Sequence, residues 1–505
     1  MLEPDLTPGS APGEESATSA SRPDPFAPEI LSATQALCPQ CLKRLPALRV
    51  RRGNEVWLTR VCPEHGPAQA VIWRGDPAFE LWRRPKTPSA PPVVQTRAER
   101  GCPFDCGLCA EHGQHTCTAV VEVTQRCTLG CPVCYASSSA GAGAEPDPSV
   151  AELARRLAAL RRAAGTCNLQ LSGGEPTSRD DLPEIIAAAR PLGFGLVQLN
   201  TNGLRLGGER GYAESLAEAG LQSVFLQFDG PDEACVALRG RPLLAQKLAA
   251  LEACARAGLG VVLVPTLLRG VNEHALGDIL RLGLKHAPTV RGVHFQPAST
   301  FGRFPGPLDE ARRLTLPEVL RLLVAQSGGM LRAEDFHPPG CEHERCSFSA
   351  RFALRQGRLW PLAEGGSCCG SSPLALAPPS TSAPLNAPVL TPIIAPILTP
   401  IIAEEGARLA KSSVARQWAA APAPARPDSG RPNAGHDDFE RFLARNSPDK
   451  RFSISCMAFQ DVRTLDLERV RGCCIHALAP DGRLIPFCLY NLTADDGATL
   501  YRGRV

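Results

Sequence analysis

The chain lacks three features that would each set its class. It has no uninterrupted apolar run of about 18 residues, the length a bilayer-spanning helix needs, so no membrane span is expected. It opens without the basic-then-apolar pattern of an export leader, so a cytoplasmic location is expected. It also has almost no net charge, since 54 Lys+Arg against 51 Asp+Glu leave +3 over 505 residues. A balance that small argues against nucleic-acid binding through bulk charge, and no nucleic-acid partner is expected. Gly and Pro number 45 and 48, below the share of about 25–30% that marks a wholly structureless chain. What the sequence has in excess is cysteine, 21 residues. In a reducing compartment so many thiols read as metal ligands rather than as disulfides.

Composition divides the chain. Residues 1–29 are rich in Pro, Ser, Ala and Glu and read as a disordered tail. Residues 30–84 carry paired cysteines, and 98–118 are dense in Cys and His. From 119 to 330, short β-branched runs alternate with Ala/Leu/Arg segments of helical period. The strand candidates are Ala119–Val123, Asn168–Leu171, Gly195–Leu199, Ser223–Phe228, Gly260–Pro265 and Gly292–Gln296. Helix starts are marked by Ser149 with Glu152 and by Thr315 with Glu318, each pair spaced as a capping box. Six βα units in series predict an α/β fold with a parallel sheet, a partial (β/α)6 barrel or a doubly wound sheet, with its chemistry at the C-terminal strand ends. Residues 331–370 and 452–495 form a second Cys-rich region. Between them, 371–450 read as a Pro-rich, low-complexity insertion. Gly365–Ala403 holds no charged residue, and the hexapeptide LTPIIA starts at both Leu390 and Leu398. The segment is a linker or, alternatively, an apolar flap that rests on a membrane or covers a greasy substrate.

The sharpest motif is Cys127-Thr-Leu-Gly-Cys131-Pro-Val-Cys134-Tyr135, directly after the first strand of the series. Three thiolates so spaced can wrap a [4Fe–4S] cube and leave its fourth iron open to a substrate's amino and carboxylate groups. Taken alone, the triad leaves a zinc site or a closed cluster equally open. The next strand ends shift that balance. Ser172-Gly173-Gly174-Glu175-Pro176 closes the second strand, Asn200-Thr201-Asn202-Gly203 the third and Gln227-Phe228-Asp229-Gly230 the fourth. The glycines let the backbone approach a ligand, and carbonyls or Glu175 can accept from an ammonium group. Asn202, Gln227 and Asp229 suit a barrel rim better than a core.

A second triad of identical spacing, Cys102-Pro-Phe-Asp-Cys106-Gly-Leu-Cys109, lies upstream without an adjoining strand. With Cys117 as the fourth ligand it reads as an auxiliary [4Fe–4S] site, with zinc as the alternative. Cys38-Pro-Gln-Cys41 is matched by Cys62-Pro-Glu-His65, a four-ligand knuckle for zinc or mononuclear iron. Beyond the barrel, Cys341 or Cys346 can join Cys473, Cys474 and Cys488 in a further cluster, giving one or two auxiliary clusters in all.

From about Ala119 to Gln296 the sequence resembles the radical S-adenosylmethionine (SAM) superfamily. The resemblance implies a radical SAM barrel in which Cys127, Cys131 and Cys134 hold the cluster that cleaves SAM. It implies that Gly173, Gly174, Glu175 and Pro176 contact the methionine amino group, and that Asn200, Asn202, Gln227 and Asp229 help to hold ribose and carboxylate. Tyr135 takes the usual aromatic position after the last cysteine. The reaction it implies needs an electron from an external flavodoxin- or ferredoxin-type donor and yields a 5′-deoxyadenosyl radical that abstracts a substrate hydrogen.

The tail reads Gly472-Cys473-Cys474-Ile475-His476 and then Asp481-Gly482-Arg483-Leu484-Ile485-Pro486-Phe487-Cys488. With VVLVPTLLRGVNEH at Val261–His274 and VRGVHFQP at Val290–Pro297, it is similar to archaeal tetraether lipid synthases, whose relatives are described as pterin methyltransferases. That likeness implies carbon–carbon coupling of two lipid chains, with peripheral contact to the inner membrane face. Methyl transfer to a pterin or other heterocycle is the alternative, and a non-enzymatic iron–sulfur electron carrier is the third reading.

Overall fold

The computed structural model describes residues 28–84, 89–138, 146–306, 308–362 and 451–504. Of the insertion it also describes 408, 411, 415 and 417–419. The expected disordered tail and nearly all of the Pro-rich insertion therefore lie outside the described residues.

The N-terminal module is a four-stranded antiparallel sheet, β1 (Glu29–Leu37), β2 (Arg44–Arg52), β3 (Glu55–Cys62) and β4 (Gly66–Arg74), in chain order. Alternate residues of β2 and β3 are buried, the period-2 signature of a sheet with one covered face. The two knuckles fall in its turns, between β1 and β2 and between β3 and β4. Basic side chains fix the module to the rest of the chain. Arg49 is 3% exposed and donates to Asp466 Oδ2 at 2.8 Å. Arg60 donates to the carbonyls of Val462 and Arg463 at 3.1 and 2.7 Å.

The second sheet has twelve strands. The six strand candidates form β5 (Thr118–Thr124), β6 (Asn168–Gly173), β7 (Leu196–Thr201), β8 (Ser223–Gln227), β9 (Gly260–Val264) and, after the two-residue β10 (Thr266–Leu267), β11 (Val290–Pro297). They lie side by side in that order, all parallel. The crossovers are amphipathic helices such as α1 (Val150–Ala164), which buries Leu153, Leu157 and Leu160 on one face. Ser149 caps α1 by accepting from the Glu152 amide at 3.2 Å. At Thr315 both arms of the capping box are made. This is the α/β arrangement expected from the sequence.

The second Cys-rich region is built into the barrel sheet. Its strands β12 (Ser347–Arg355), β13 (Arg358–Pro361), β14 (Arg451–Met457), β15 (Ile475–Leu478) and β16 (Leu484–Pro486) join the barrel sheet. β14 adds in parallel beside β11, and β15 adds in parallel beside β5. Eight consecutive strands are thus parallel, six from the βα series and one at either side from beyond the insertion. Periodicity does not reveal this for β15, because the helix directly before it, Leu467–Arg471, is only five residues long, too short to show an amphipathic period. Among the described residues, no helix is long and apolar enough to cross a membrane.

Candidate active site

The C-terminal ends of β5 to β9 and β11 surround a cavity of about 290 Å³. Its lining includes Cys127, Cys131 and Cys134, Tyr135, Gly173, Gly174 and Glu175, Asn200, Asn202 and Gln227, so most of the expected strand-end residues share one space. Local sterics explain the two glycines. A Cβ on Gly173, whose φ is +127°, would sit 2.1 Å from the Thr124 carbonyl oxygen. One on Gly174 would sit 2.2 Å from that of Arg126. Only glycine allows β6 to turn so tightly under the exit of β5, where the Gly174 amide donates to Thr124 O at 2.8 Å. The same turn brings the glycine backbone to the cysteine loop.

Glu175 is 2% exposed and largely engaged. Its Oε1 accepts from the Thr177 amide at 3.1 Å, from Thr177 Oγ1 at 2.8 Å and from Thr201 Oγ1 at 2.7 Å. Its Oε2 accepts from the Asn202 amide at 2.6 Å. The carboxylate therefore locks the ends of β6 and β7 together, and Oε2 keeps lone-pair capacity for a ligand ammonium. Pro176 starts a short 3-10 turn and does not line the cavity. Tyr135 Oη meets Ser172 Oγ at 2.7 Å, and its ring lies 5.7 Å from that of Phe487. Asn200 Oδ1 is buried without a hydrogen-bond partner among the described residues.

Asp229 is placed differently from the rim position expected of it. It is fully buried behind the lining. Its Oδ1 accepts from the Thr266 amide at 3.0 Å and its Oδ2 from Arg239 Nε at 2.7 Å. The ion pair with Arg239, on the helix Asp232–Arg239, consumes the carboxylate. Arg239 is one of three cations that sequence reasoning missed. It also donates to Val133 O at 3.1 Å and lends positive charge to Cys131. Arg303 clamps the cysteine loop by donating to Cys131 O at 2.7 Å and Ser138 O at 2.8 Å. Lys247 is 1% exposed, bonds Asn202 O and Gln227 Oε1, and burial pushes its pKa down to about 8. None of the three stands in a recognisable motif. Lys247 sits in an Ala/Leu-rich helix whose pattern reads as packing alone.

Burial, the Glu175 carboxylate and the neighbouring thiols push Cys127 up to about 11, and burial likewise raises Cys131 despite Arg239. Such crowded thiols stay protonated until a cationic group displaces their protons. The donor set suits a multinuclear iron–sulfur group: three sulfurs facing a cavity with the orphaned Asn200 oxygen and a glycine backbone beside them.

Away from the barrel triad, two groups bring their ligand atoms within 4.8 Å of one another among the described residues, Cys38/Cys41/Cys62/His65 and Cys117/Cys341/Cys474. In the knuckle, His65 Nδ1 lies 3.5 Å from Cys62 Sγ and 3.6 Å from Cys38 Sγ, a spacing that suits one tetrahedral ion. Burial opposes ionisation of Cys62, but the hydrogen bond from His65 and the amides of Glu64 and His65 outweigh it and bring the thiol to about 6. Cys117 does not join Cys102, Cys106 and Cys109 as expected. It stands just before β5, whose pairing with β15 brings it to Cys474; Cys341 comes from the segment ahead of β12, and His115 Nε2 lies 3.1 Å from the Cys117 sulfur. The remaining C-terminal candidates, Cys346, Cys473 and Cys488, line a separate small cavity of about 30 Å³. There Arg469 Nε donates to Cys346 Sγ at 3.4 Å. The expected single C-terminal group is thus divided, because the adjacent Cys473 and Cys474 serve different sides.

Residues 121–283 match the family model described as the radical SAM superfamily, and residues 30–74 match the HMPTM N-terminal zinc ribbon domain. The chain is 34% identical over 479 residues to the 7,8-dihydro-6-hydroxymethylpterin dimethyltransferase of Methanocaldococcus jannaschii, covering 91% of this chain and 93% of that protein. It is 30% identical to a probable GTP 3′,8-cyclase of Methanothermobacter thermautotrophicus, over 33% of this chain and 54% of the cyclase. Among solved structures, Streptococcus suis SuiB bound to S-adenosylmethionine is 13% identical with a TM-score of 0.34, covering 43% of this chain and 49% of SuiB.

Proposed function

The chain belongs to the radical SAM superfamily, in the family of the Methanocaldococcus protein, and from that premise we propose that it methylates a reduced pterin or a closely related uncharged heterocycle. As a radical SAM enzyme it uses SAM and a [4Fe–4S] cluster. The observation that carries the substrate reading is the 34% identity extending over nine-tenths of both chains, far outside the barrel that the cyclases share. The cavity supports it. Among the described lining residues, Arg239 is the sole Lys or Arg, and Asp229 already neutralises it. A nucleoside triphosphate needs several free cations or amides for its phosphates. The relatives give the hydrocarbon-coupling expectation no support.

A bound cluster would supply the electron that splits the sulfonium. The chain's own residues position that event. Cys127, Cys131 and Cys134 would hold the cluster, with Arg303 fixing the carbonyls of their loop. The Gly173–Gly174 backbone, Glu175 Oε2 and the Asn200 and Asn202 amides would hold the amino-acid and ribose parts of SAM, and Gln227 would help. We assign the knuckle to zinc or mononuclear iron. The triad at Cys102 and the Cys346/Cys473/Cys488 group are assigned to auxiliary clusters that pass electrons inward from a flavodoxin- or ferredoxin-type donor.

The test is anaerobic turnover of iron- and sulfide-reconstituted protein with SAM, dithionite and 7,8-dihydro-6-hydroxymethylpterin. Mass spectrometry is expected to find the pterin carrying one or two added methyl groups. SAM cleavage with the pterin returned unchanged would reject the substrate assignment and leave the radical SAM chemistry standing.

A further inference from the structure

The strand-end residues occupy one part of the main cavity, and another part is aromatic. Phe225 of β8 and His294 of β11 lie 5.7 Å apart, ring centre to ring centre. Trp418 packs against both, edge-on to Phe225 at 5.0 Å and 6.4 Å from His294. Val262 and Val264 of β9 complete the packing. Phe225 with Gln227, Val262 with Val264, and His294 with Gln296 are each two residues apart on their strands, so each pair faces the same side of the sheet. Trp418 comes from the Pro-rich insertion. Among that segment's described residues it is the one lining the cavity.

Three polar groups stay open in this apolar setting. Trp418 Nε1 is buried and has no hydrogen-bond partner among the described residues. His294 is 6% exposed and bonds Ser455 Oγ through Nδ1 at 2.8 Å, which leaves Nε2 free. The Gln296 side-chain amide lines the same space without a described partner. A hydrocarbon chain here would leave these groups unpaired, at about 1–3 kcal/mol each. A planar ring bearing both donors and acceptors would satisfy them while covering the aromatic faces.

We propose that Trp418 and His294 form the ring-binding subsite for the substrate: Trp418 gives a stacking face and an N–H donor, and His294 Nε2 gives a second hydrogen bond to a planar, uncharged nitrogen heterocycle. The proposal rests on the heterocycle reading above and names the residues that select it. Trp418 then brings one described residue of the insertion into the active site.

The test is anaerobic equilibrium dialysis of reconstituted full-length protein against 7,8-dihydro-6-hydroxymethylpterin. W418F keeps a ring and loses the donor, so its Kd is expected to rise about tenfold. W418A loses both and is expected to rise about a hundredfold. H294A is expected to rise about tenfold, and H294Q, which keeps a polar end, to recover part of the loss. W360F, at an exposed tryptophan of β13, controls for a general effect of losing an indole. Wild-type binding that persists unchanged in W418A and H294A would overturn the subsite and spare the heterocycle assignment. No binding by the wild type would overturn both.

Discussion

Two triads of identical spacing, Cys102/Cys106/Cys109 and Cys127/Cys131/Cys134, have opposite surroundings. Each cysteine of the upstream triad is 5% exposed, and Cys102 and Cys106 pack with Leu37, Val462, Leu465 and Leu489. None of the three lines either described cavity. The barrel triad leaves β5 beneath the glycine turn of β6, and all three of its cysteines face the 290 Å³ cavity. Spacing decides that three sulfurs can share a cluster. The surroundings decide whether one iron is left open to a ligand. The upstream loop is enclosed by packed side chains, and the barrel loop faces the cavity.

The largest expected effect tests that division directly. C131S should abolish 5′-deoxyadenosine formation, by at least about a thousandfold, since the electron then has no route into SAM. C106S should leave the SAM-induced spectral change of the reduced protein intact while lowering iron content. If C106S erased that change and C131S kept it, the roles of the two triads would be exchanged.

Next is G174A. The added methyl group would meet the Arg126 carbonyl oxygen at 2.2 Å, a backbone atom that cannot rotate away. A cost of about 3 kcal/mol is expected in chemical unfolding, with loss of SAM binding. Beside the upstream triad, Gly101 and Gly107 have φ of +75° and +158°, and an added Cβ there would meet the side chains of Arg44 and of Thr96 and Arg483 rather than backbone.

How much was legible follows the same contrast. Cys127–Tyr135, Gly173–Glu175, Asn200 and Asn202 could be found because each lies at the end of a strand that hydrophobic pattern locates, and the sheet order then brings them together. Asp229 obeyed the same rule and was misplaced, since its partner Arg239 lies on the following helix and no pattern couples the two. Cys117 was assigned by nearness in sequence to the upstream triad. Of its actual neighbours, Cys474 arrives with β15, which pairs beside β5 from more than 350 residues away, and Cys341 comes from the segment ahead of β12. His294 lies in the VRGVHFQP strand, but its link to Trp418 has no signal, because an aromatic pocket assembled across an insertion has no period and no fixed spacing.

Acid should separate the two loops at an intermediate scale. Asp461 is fully buried, accepts from the Thr300 amide at 3.1 Å and pairs with Arg313 at 2.8 Å. That fixes the segment whose Arg303 clamps the barrel triad. Burial alone would raise the Asp461 carboxyl, but the charge and hydrogen bonds of Arg313 outweigh it and bring it to about 2. A carboxyl with a folded-state value below its ordinary one, about 3.9, stabilises the protein above that pH and loses its contribution as pH falls toward 2. About 2 kcal/mol should vanish between pH 4 and pH 2 in urea unfolding of the metal-free protein. D461N should flatten that slope. An unchanged slope would mean that the pair does not secure the loop.

The smallest effect belongs to the enclosed loop. Tyr501 Oη accepts from the Cys106 amide at 2.9 Å and donates to the Pro103 carbonyl at 2.6 Å, so one hydroxyl bridges the upstream loop. Its ring is 4% exposed, which leaves no water to replace those bonds. Y501F keeps the packing and removes both, at a cost of about 1–2 kcal/mol. Because the hydroxyl touches only the upstream loop, iron bound there should become easier to chelate while the SAM-induced signal of the barrel triad stays as in the wild type. A matching loss at the barrel triad would show that the two loops share one stability. The enclosed loop would then govern the cavity-facing one through the packed C-terminal strands, and the contrast between them would be one of exposure alone.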